Sequence, residues 1–421
     1  MPRRVVVTGV GVVSPLGQSA EDHFNALVAG RCGIAPITAF DVGAFPVKFA
    51  GEVKDFKGNK FLKNRKAMKM MARDIQLAVA AASLAARDAG IYDGVKDPIR
   101  LGVSMGAGLI PTDLDELAAG VATSIDGEKR FDLKKFGKEG LANIFPLWLL
   151  KYLPNMLNSH IAIEYDAQGP NNCITAGNAS GVLAIGEAAR VIERGDADLM
   201  IAGAAETKVH PLSLVRLYLA GKLSTSPDIA ERGTKPFSKE RSGLAAAEGG
   251  AAVILEDESH ARGRGARIYA ELAGLGSSCG GQLTGELAPD GRAAVDSMRA
   301  GVADARVPPD EVDAVFANAS GLPEDAIEAR AIAQALGPGK LVTATRSALG
   351  DMACAAGAAD VAVAAMAISR GVLPGTFGAG ADESPEIHVA RESETRALGV
   401  LLVNSFTFGG QTACLVLRKH S

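Results

Sequence analysis

Apolar residues along this chain come in short continuous runs, separated by longer alanine-rich stretches. Residues 5–13 are β-branched apart from Gly9 and Gly11, the pattern of a strand buried on both faces. Ser14-Pro15-Leu16-Gly17 turns the chain, and Ser19 opens a helix carrying Phe24 and Leu27 on one face. Residues 70–89 are alanine-rich with helical periodicity, and Gly90 is placed as its stop. Residues 100–106, 199–204 and 250–255 repeat the buried-strand pattern, and Cys173 falls in a further strand. A second set follows at 267–272, 314–317, 340–343 and 401–403. Strands alternating with helices predict βαβ units and an α/β fold with a mostly parallel sheet under helices. The rhythm runs twice with no low-complexity linker between, so two similar halves, 1–256 and 257–421, are expected to share one core. Residues 224–233 and 280–291 read as surface loops.

Composition narrows the class. The chain has 421 residues, 48% apolar and 22% charged, which excludes a disordered chain. Its 49 glycines follow no G-X-Y period, which excludes collagen. A net charge of −4 gives no field for nucleic acid. The basic stretch Lys60, Lys63, Arg65, Lys66, Lys69 is interrupted by apolar residues at helical spacing. It reads as a solvated helix face or as a docking patch for an acidic partner. The five cysteines form no CxxC pair and no metal spacing, so reduced thiols in a cytoplasmic protein are expected. The N-terminus runs straight into the first strand without a signal-peptide h-region. The longest apolar helical stretches, 77–86 and 361–368, fall short of the ~20 residues of a membrane span.

Several segments together resemble the β-ketoacyl synthase (condensing enzyme) family of the thiolase superfamily. Residues 5–17 look like its opening strand and turn. Thr234-Lys235-Pro236-Phe237-Ser238-Lys239-Glu240-Arg241-Ser242-Gly243 is similar to its "RPFDxxRDG" segment, and Glu248-Gly249-Gly250-Ala251 follows in place. Asn404-Ser405-Phe406-Thr407-Phe408-Gly409-Gly410-Gln411-Thr412 resembles its C-terminal "NSFGFGGTN" loop. The resemblance implies a thiolase-like five-layer αβαβα fold of two similar halves, working as a dimer. It also implies a Cys nucleophile at the N-terminus of a buried helix, where dipole and backbone N–H groups favour a thiolate. Two His residues and a Lys serve the enolate formed by decarboxylation of a malonyl thioester.

At those positions this sequence departs. Gly169-Pro170-Asn171-Asn172-Cys173-Ile174-Thr175-Ala176-Gly177-Asn178-Ala179-Ser180-Gly181 is similar to "GPSxxxxTACxSG", and the Cys position holds Asn178. An amide nitrogen is delocalised and is no nucleophile. In Asn318-Ala319-Ser320-Gly321 the first His position holds Ser320. In the segment resembling "KSxxGHxxxAAG", Arg346 stands for Lys and Asp351 for the second His. A carboxylate would repel a developing enolate. An Arg346–Asp351 pair reads as a structural salt bridge, with a new catalytic dyad as the alternative. Cys173 reads as a structural strand thiol, and Cys354 as a small hydrophobe in a helix. His160 and His210 match no catalytic position.

These four replacements resemble a chain-length factor, the non-condensing partner of an active ketosynthase. What is implied is a heterodimer with a ketosynthase carrying Cys, His and His, or a homodimer, that shapes the tunnel for a chain on an acyl carrier protein, without a cofactor. No catalytic residue is expected, and Asn178, Phe408, Gly409 and Gly410 are the substrate-binding candidates, with Phe408 resembling the family's gating Phe. Trp148 and Tyr152 are tunnel or interface candidates, or ordinary core. A malonyl-thioester decarboxylase or variant acyltransferase, and an acyl-binding scaffold without chemistry, are the alternatives.

Overall fold

The computed structural model describes residues 3–281, 287–380, 384–407 and 409–421. Of the strands in the main sheet, five belong to the first half: β1 (Val5–Val13), β2 (Leu101–Ala107), β3 (Asn171–Ile174), β4 (Leu199–Thr207) and β5 (Glu248–Asp257). Six belong to the second: β6 (Ala270–Cys279), β7 (Ala314–Phe316), β8 (Lys340–Thr343), β9 (Ile387–Val389), β10 (Val400–Phe406) and β11 (Gln411–Arg418). Their lateral order is β9-β8-β7-β10-β11-β6-β1-β5-β4-β2-β3 in one 11-stranded sheet. Both halves follow the same plan. The second and third strands of each half (β2 and β3, β7 and β8) pair in parallel, and the last two (β4 and β5, β10 and β11) pair antiparallel. The first strand of each half pairs antiparallel with that half's last strand. The halves meet where Val5, Val6 and Val7 pair with Leu272, Glu271 and Ala270.

The helices complete the five layers. Helix α1 (Arg73–Asp88) covers the outer face of the first half. Helices α2 (Ser180–Glu193) and α5 (Cys354–Arg370) pack against each other between the two half-sheets. Helix α3 (Arg292–Asp304) covers the outer face of the second half, with α4 (Asp325–Leu336) beside it. The α/β thiolase-like architecture expected from the sequence is the one observed, but the sheet is mixed and not mostly parallel: five of its ten strand pairings are antiparallel. The strand cores explain the continuous apolar runs: β1, β2, β4, β5 and β10 are buried along their whole length. Both halves use glycine in the first strand to bring an outer helix close. A β-carbon at Gly11 would lie 2.1 Å from the Ala81 carbonyl of α1, and one at Gly276 would lie 1.9 Å from the Ser297 carbonyl of α3.

Two local expectations change. The basic stretch forms 3-10 turns at Gly58–Lys60 and Arg65–Met70, and the α-helix starts only at Arg73. None of the residues 65–70 is fully buried; Ala67 and Met68 only rest against the edge of the core, too little to offset the cost of starting an α-helix there. The segment 224–233, read as a surface loop, contains the helical turn Ile229–Arg232, and Ile229 is buried against Ile34 and Ala245. Part of the loop expected at 280–291 lies outside the described residues. Among the described residues, no helix is long and apolar enough to cross a membrane.

The close glycine contacts give a stability test. Gly276→Ala is expected to destabilise by about 1–3 kcal/mol, because the obstructing atoms are backbone. Gly263→Ala, with nothing within 4 Å of its added carbon, is expected to be neutral or slightly stabilising. Urea unfolding midpoints of the two variants check this.

Candidate functional site

Strand β3 ends at Ile174, and the chain turns through Gly177 at φ +55° before α2 begins. A β-carbon at Gly177 would lie 2.0 Å from Thr407 Oγ1, so the turn seats directly on the segment after β10. The Ser180 hydroxyl closes the turn, accepting from Ala176 N–H at 2.7 Å and donating to the Gly177 carbonyl at 2.6 Å. Asn178 is thereby held just ahead of the α2 N-terminus, its carbonyl accepting from the Ser405 hydroxyl at 2.8 Å. In the second half β8 is followed by the turn Arg346–Leu349, then Gly350, Asp351 and α5. Asp351 thus occupies the place in the second half that Asn178 occupies in the first.

The two side chains meet. Asn178 Nδ2 donates to Asp351 Oδ2 at 3.2 Å, and both residues are buried. The other carboxylate oxygen accepts from Ala353 N–H at 3.0 Å and lies 3.8 Å from Arg346 Nε. Ala353 sits at φ +49°, a conformation costing about 1–3 kcal/mol in a residue with a side chain. Asp351 therefore lies beside two helix N-termini and a guanidinium, each of which favours negative charge.

Arg346 is 1% exposed and donates through Nη1 to the Asn318 carbonyl. Its Nε and Nη2 have no protein hydrogen-bond partner among the described residues, so toward Asp351 it acts as a charge. Asp360 and Glu328 share its field. Asp360 accepts from Thr345 Oγ1 at 2.5 Å. Glu328 accepts from Asn318 N–H at 2.9 Å and Asn404 Nδ2 at 3.2 Å. Burial pushes Glu328 up to about 7 and Asp360 up to about 6. Asp325, which accepts from the N–H groups of Ser320 and Gly321, is likewise pushed up by burial to about 6. Glu328 and Asp360 were not singled out from the sequence. Asp360 carried a signal, as the one charged residue in the alanine-rich run 354–369; Glu328 carried none, sitting among ordinary helical charges.

Asn178, Asn318, Ser320, Glu328, Asp351 and Thr407 line a cavity of about 30 Å³. That admits a water molecule or two, against the several hundred Å³ of an ordinary ligand site. Gly409 and Gly410 form the turn between β10 and β11, where the Gly410 carbonyl accepts from Gly280 N–H at 2.8 Å. Neither is among the residues lining the cavity. Phe408 lies outside the described residues. Cys173 is half-buried in β3, and burial pushes its thiol up to about 11. Cys354 opens α5, yet burial and the Glu206 carboxylate raise its thiol well above the usual range. Trp148 packs against Tyr152 with ring centroids 5.3 Å apart and planes tilted by 47°, and the Tyr152 hydroxyl donates to Glu116 at 2.8 Å, away from this cavity. The lining thus offers amides, hydroxyls and carboxyls and, among the described residues, no thiolate or imidazole.

The buried carboxyls set a pH dependence. Glu328 in the fold keeps a proton that the unfolded chain, with its value near 4.5, has already lost. Stability therefore falls as pH rises from about 4.5 to about 7, then levels off. Glu328→Gln removes this slope. Its stability relative to the parent chain is expected to improve from pH 5 to pH 8, by up to about 3 kcal/mol, in urea titrations at the two pH values.

Residues 2–261 match the family described as Beta-ketoacyl synthase, N-terminal domain, and residues 269–379 match Beta-ketoacyl synthase, C-terminal domain. The chain is 35% identical to a protein from Coxiella burnetii named 3-oxoacyl-[acyl-carrier-protein] synthase 2, over 99% of each chain. It is 33% identical to the mitochondrial 3-oxoacyl-[acyl-carrier-protein] synthase of Arabidopsis thaliana, over 98% of this chain and 93% of that one. Among solved structures, "The ishigamide ketosynthase/chain length factor" superposes with a TM-score of 0.86 at 29% identity, covering 100% of both chains. A β-ketoacyl synthase from Burkholderia phymatum superposes with a TM-score of 0.87 at 25% identity, again over 100% of both. With both domains matched in order and relatives aligned end to end, this chain belongs to the β-ketoacyl synthase family.

Proposed function

We propose that the chain is a non-condensing ketosynthase-like subunit of chain-length-factor type. It pairs with an active ketosynthase and shapes the space in which a chain on an acyl carrier protein is elongated. The observation that carries this reading is the Asn178–Asp351 contact. Where the family places a thiolate and an imidazole, this site holds an amide bonded to a carboxylate. Ser320 and Arg346 complete the replacement of the four reactive positions. An enolate formed within ~4 Å of Asp351 would meet roughly 4 kcal/mol of repulsion at an intermediate effective dielectric. The small cavity beside Asn178, about 30 Å³, supports a site that holds no acyl group of its own. The relatives named as synthases share the scaffold, and the similarity to a structure described as a ketosynthase/chain length factor supports the pairing role.

Two surfaces support the partners. Segment 109–150 and the helix Pro211–Leu219 expose large apolar side chains, among them Phe131, Leu133, Phe145, Leu147 and Leu219, with Leu133 74% and Leu219 77% exposed. They adjoin a half in which β3 ends the sheet with one edge unpaired, the arrangement of a surface awaiting a second subunit. The exposed residues Lys60, Lys63, Arg65, Lys66 and Lys69 offer positive charge to an acidic carrier protein. A similar structure, with a TM-score of 0.81, is described as a type II polyketide synthase acyl-carrier protein in complex with its ketosynthase.

Co-expression with a ketosynthase carrying Cys, His and His is expected to yield a 1:1 heterodimer in size-exclusion chromatography. A chain that stays homodimeric beside such a partner would contradict the reading. Restoring the nucleophile by Asn178→Cys is expected to leave β-ketoacyl product undetectable from the isolated chain, because Ser320 and Asp351 remain. Product from that single variant, assayed with acyl and malonyl carrier protein, would show that the other replacements do not matter.

A further inference from the structure

A second cavity opens on the first half, between the N-terminal end of α1 and the C-terminal end of β4. It is far larger, about 900 Å³. Phe40, Phe56, Met71 and Leu114 give it an apolar wall, and Asp74 and Glu248 lie among its polar lining. Asp74, in the first turn of α1, is 1% exposed. Its Oδ1 accepts from Thr207 N–H at 3.1 Å, while Oδ2 has no hydrogen-bond partner among the described residues.

Three of the neighbouring cations are engaged elsewhere, while Lys69, also in the lining, stands exposed at the rim. Arg73 grips Glu248 through Nη2 at 2.6 Å and Nε at 3.1 Å, Lys208 pairs with Glu206, and Lys151 pairs with Glu116. Six carboxyl side chains line the cleft against three cationic ones. Burial lowers the pKa of His210, also in the lining, which favours its neutral form. The cleft thus combines an excess of acid, an apolar wall with aromatic faces, and a buried carboxyl oxygen without a partner.

We propose that this cleft is a binding site for an amphipathic primary ammonium compound, whose head group bonds to Asp74 and whose apolar body lies along Phe40, Phe56 and Met71. An ammonium brings three N–H donors and one positive charge, and it completes Asp74 Oδ2. The Phe40 ring adds attraction for the cation, whereas the Phe56 ring already carries the Arg73 guanidinium at 4.7 Å. Burial and Glu206 push Asp74 up to about 8, so without a ligand this acid holds a proton at neutral pH. A carbonyl-bearing ligand accepting that proton is the competing chemistry. The excess of carboxyls around the cleft favours the cation.

The test is calorimetry on the full chain at pH 7 with n-octylammonium, n-octanol, octanoate and 2-octanone. Octylammonium is expected to bind at least about ten-fold more tightly than octanol, with octanoate weakest. Asp74→Asn is expected to cut the preference for the amine over the alcohol to within about two-fold, while octanol binding stays as it was. Lys69→Gln, an exposed change that leaves the fold alone, is expected to tighten octylammonium by about two-fold without moving octanol. Equal or tighter binding of octanol or octanoate overturns the proposal, as does an Asp74→Asn protein that keeps its amine preference. Tighter binding of 2-octanone than of the amine overturns it in favour of the neutral-acid chemistry.

Discussion

One carboxylate organises the centre of this molecule. Asp351 lies where the N-termini of α2 and α5 come together, takes a hydrogen bond from Asn178 Nδ2 at 3.2 Å, and faces Arg346 at 3.8 Å. Helix termini and a buried guanidinium create a positive potential that is costly to leave without an anion. In a condensing enzyme of this family such a potential serves a thiolate and a developing enolate or oxyanion. Here the protein's own side chain occupies it. The turn at Gly177, the strained Ala353 and the bond from Ser405 to Asn178 all hold that arrangement in place.

The repeated plan of the two halves explains why these residues meet. Each half runs strand, turn, central helix at the same point, and the two central helices pack side by side. Their junction is close: a β-carbon at Gly181 of α2 would lie 2.3 Å from the Cys354 carbonyl of α5. Asn178 and Asp351 are therefore structural counterparts, one from each half, brought together by helix packing and not by nearness in sequence. The glycine contacts Gly11–Ala81 and Gly276–Ser297 show the same packing solution used twice on the outer faces.

Much of this was legible in the sequence. The buried strands announce themselves as continuous apolar runs, and the run at Lys340–Thr343 coincides with β8. The motif positions led to Asn178, Ser320, Arg346 and Asp351, which the fold gathers around one small cavity and its rear wall. Long-range charge was not legible. Asp360 and Glu328 meet Arg346 only because α5 and α4 dock where they do, and no local spacing encodes that. The basic stretch before Arg73 misled in the other direction. Helical spacing of apolar residues predicts a helix only where a core exists to receive them, and residues 65–70 are at most partly buried at its edge.

The scaffold, then, is that of the β-ketoacyl synthase family, and we read an amide, a hydroxyl, a guanidinium and a carboxylate in place of its reactive groups. The most direct measurement is intact-mass spectrometry of the unaltered chain, incubated alone with acyl carrier protein bearing an acyl group and with malonyl carrier protein, alongside detection of released carbon dioxide. An Asp351-filled site predicts no mass increase on the chain and no carbon dioxide above background. An acyl adduct together with carbon dioxide release would contradict it.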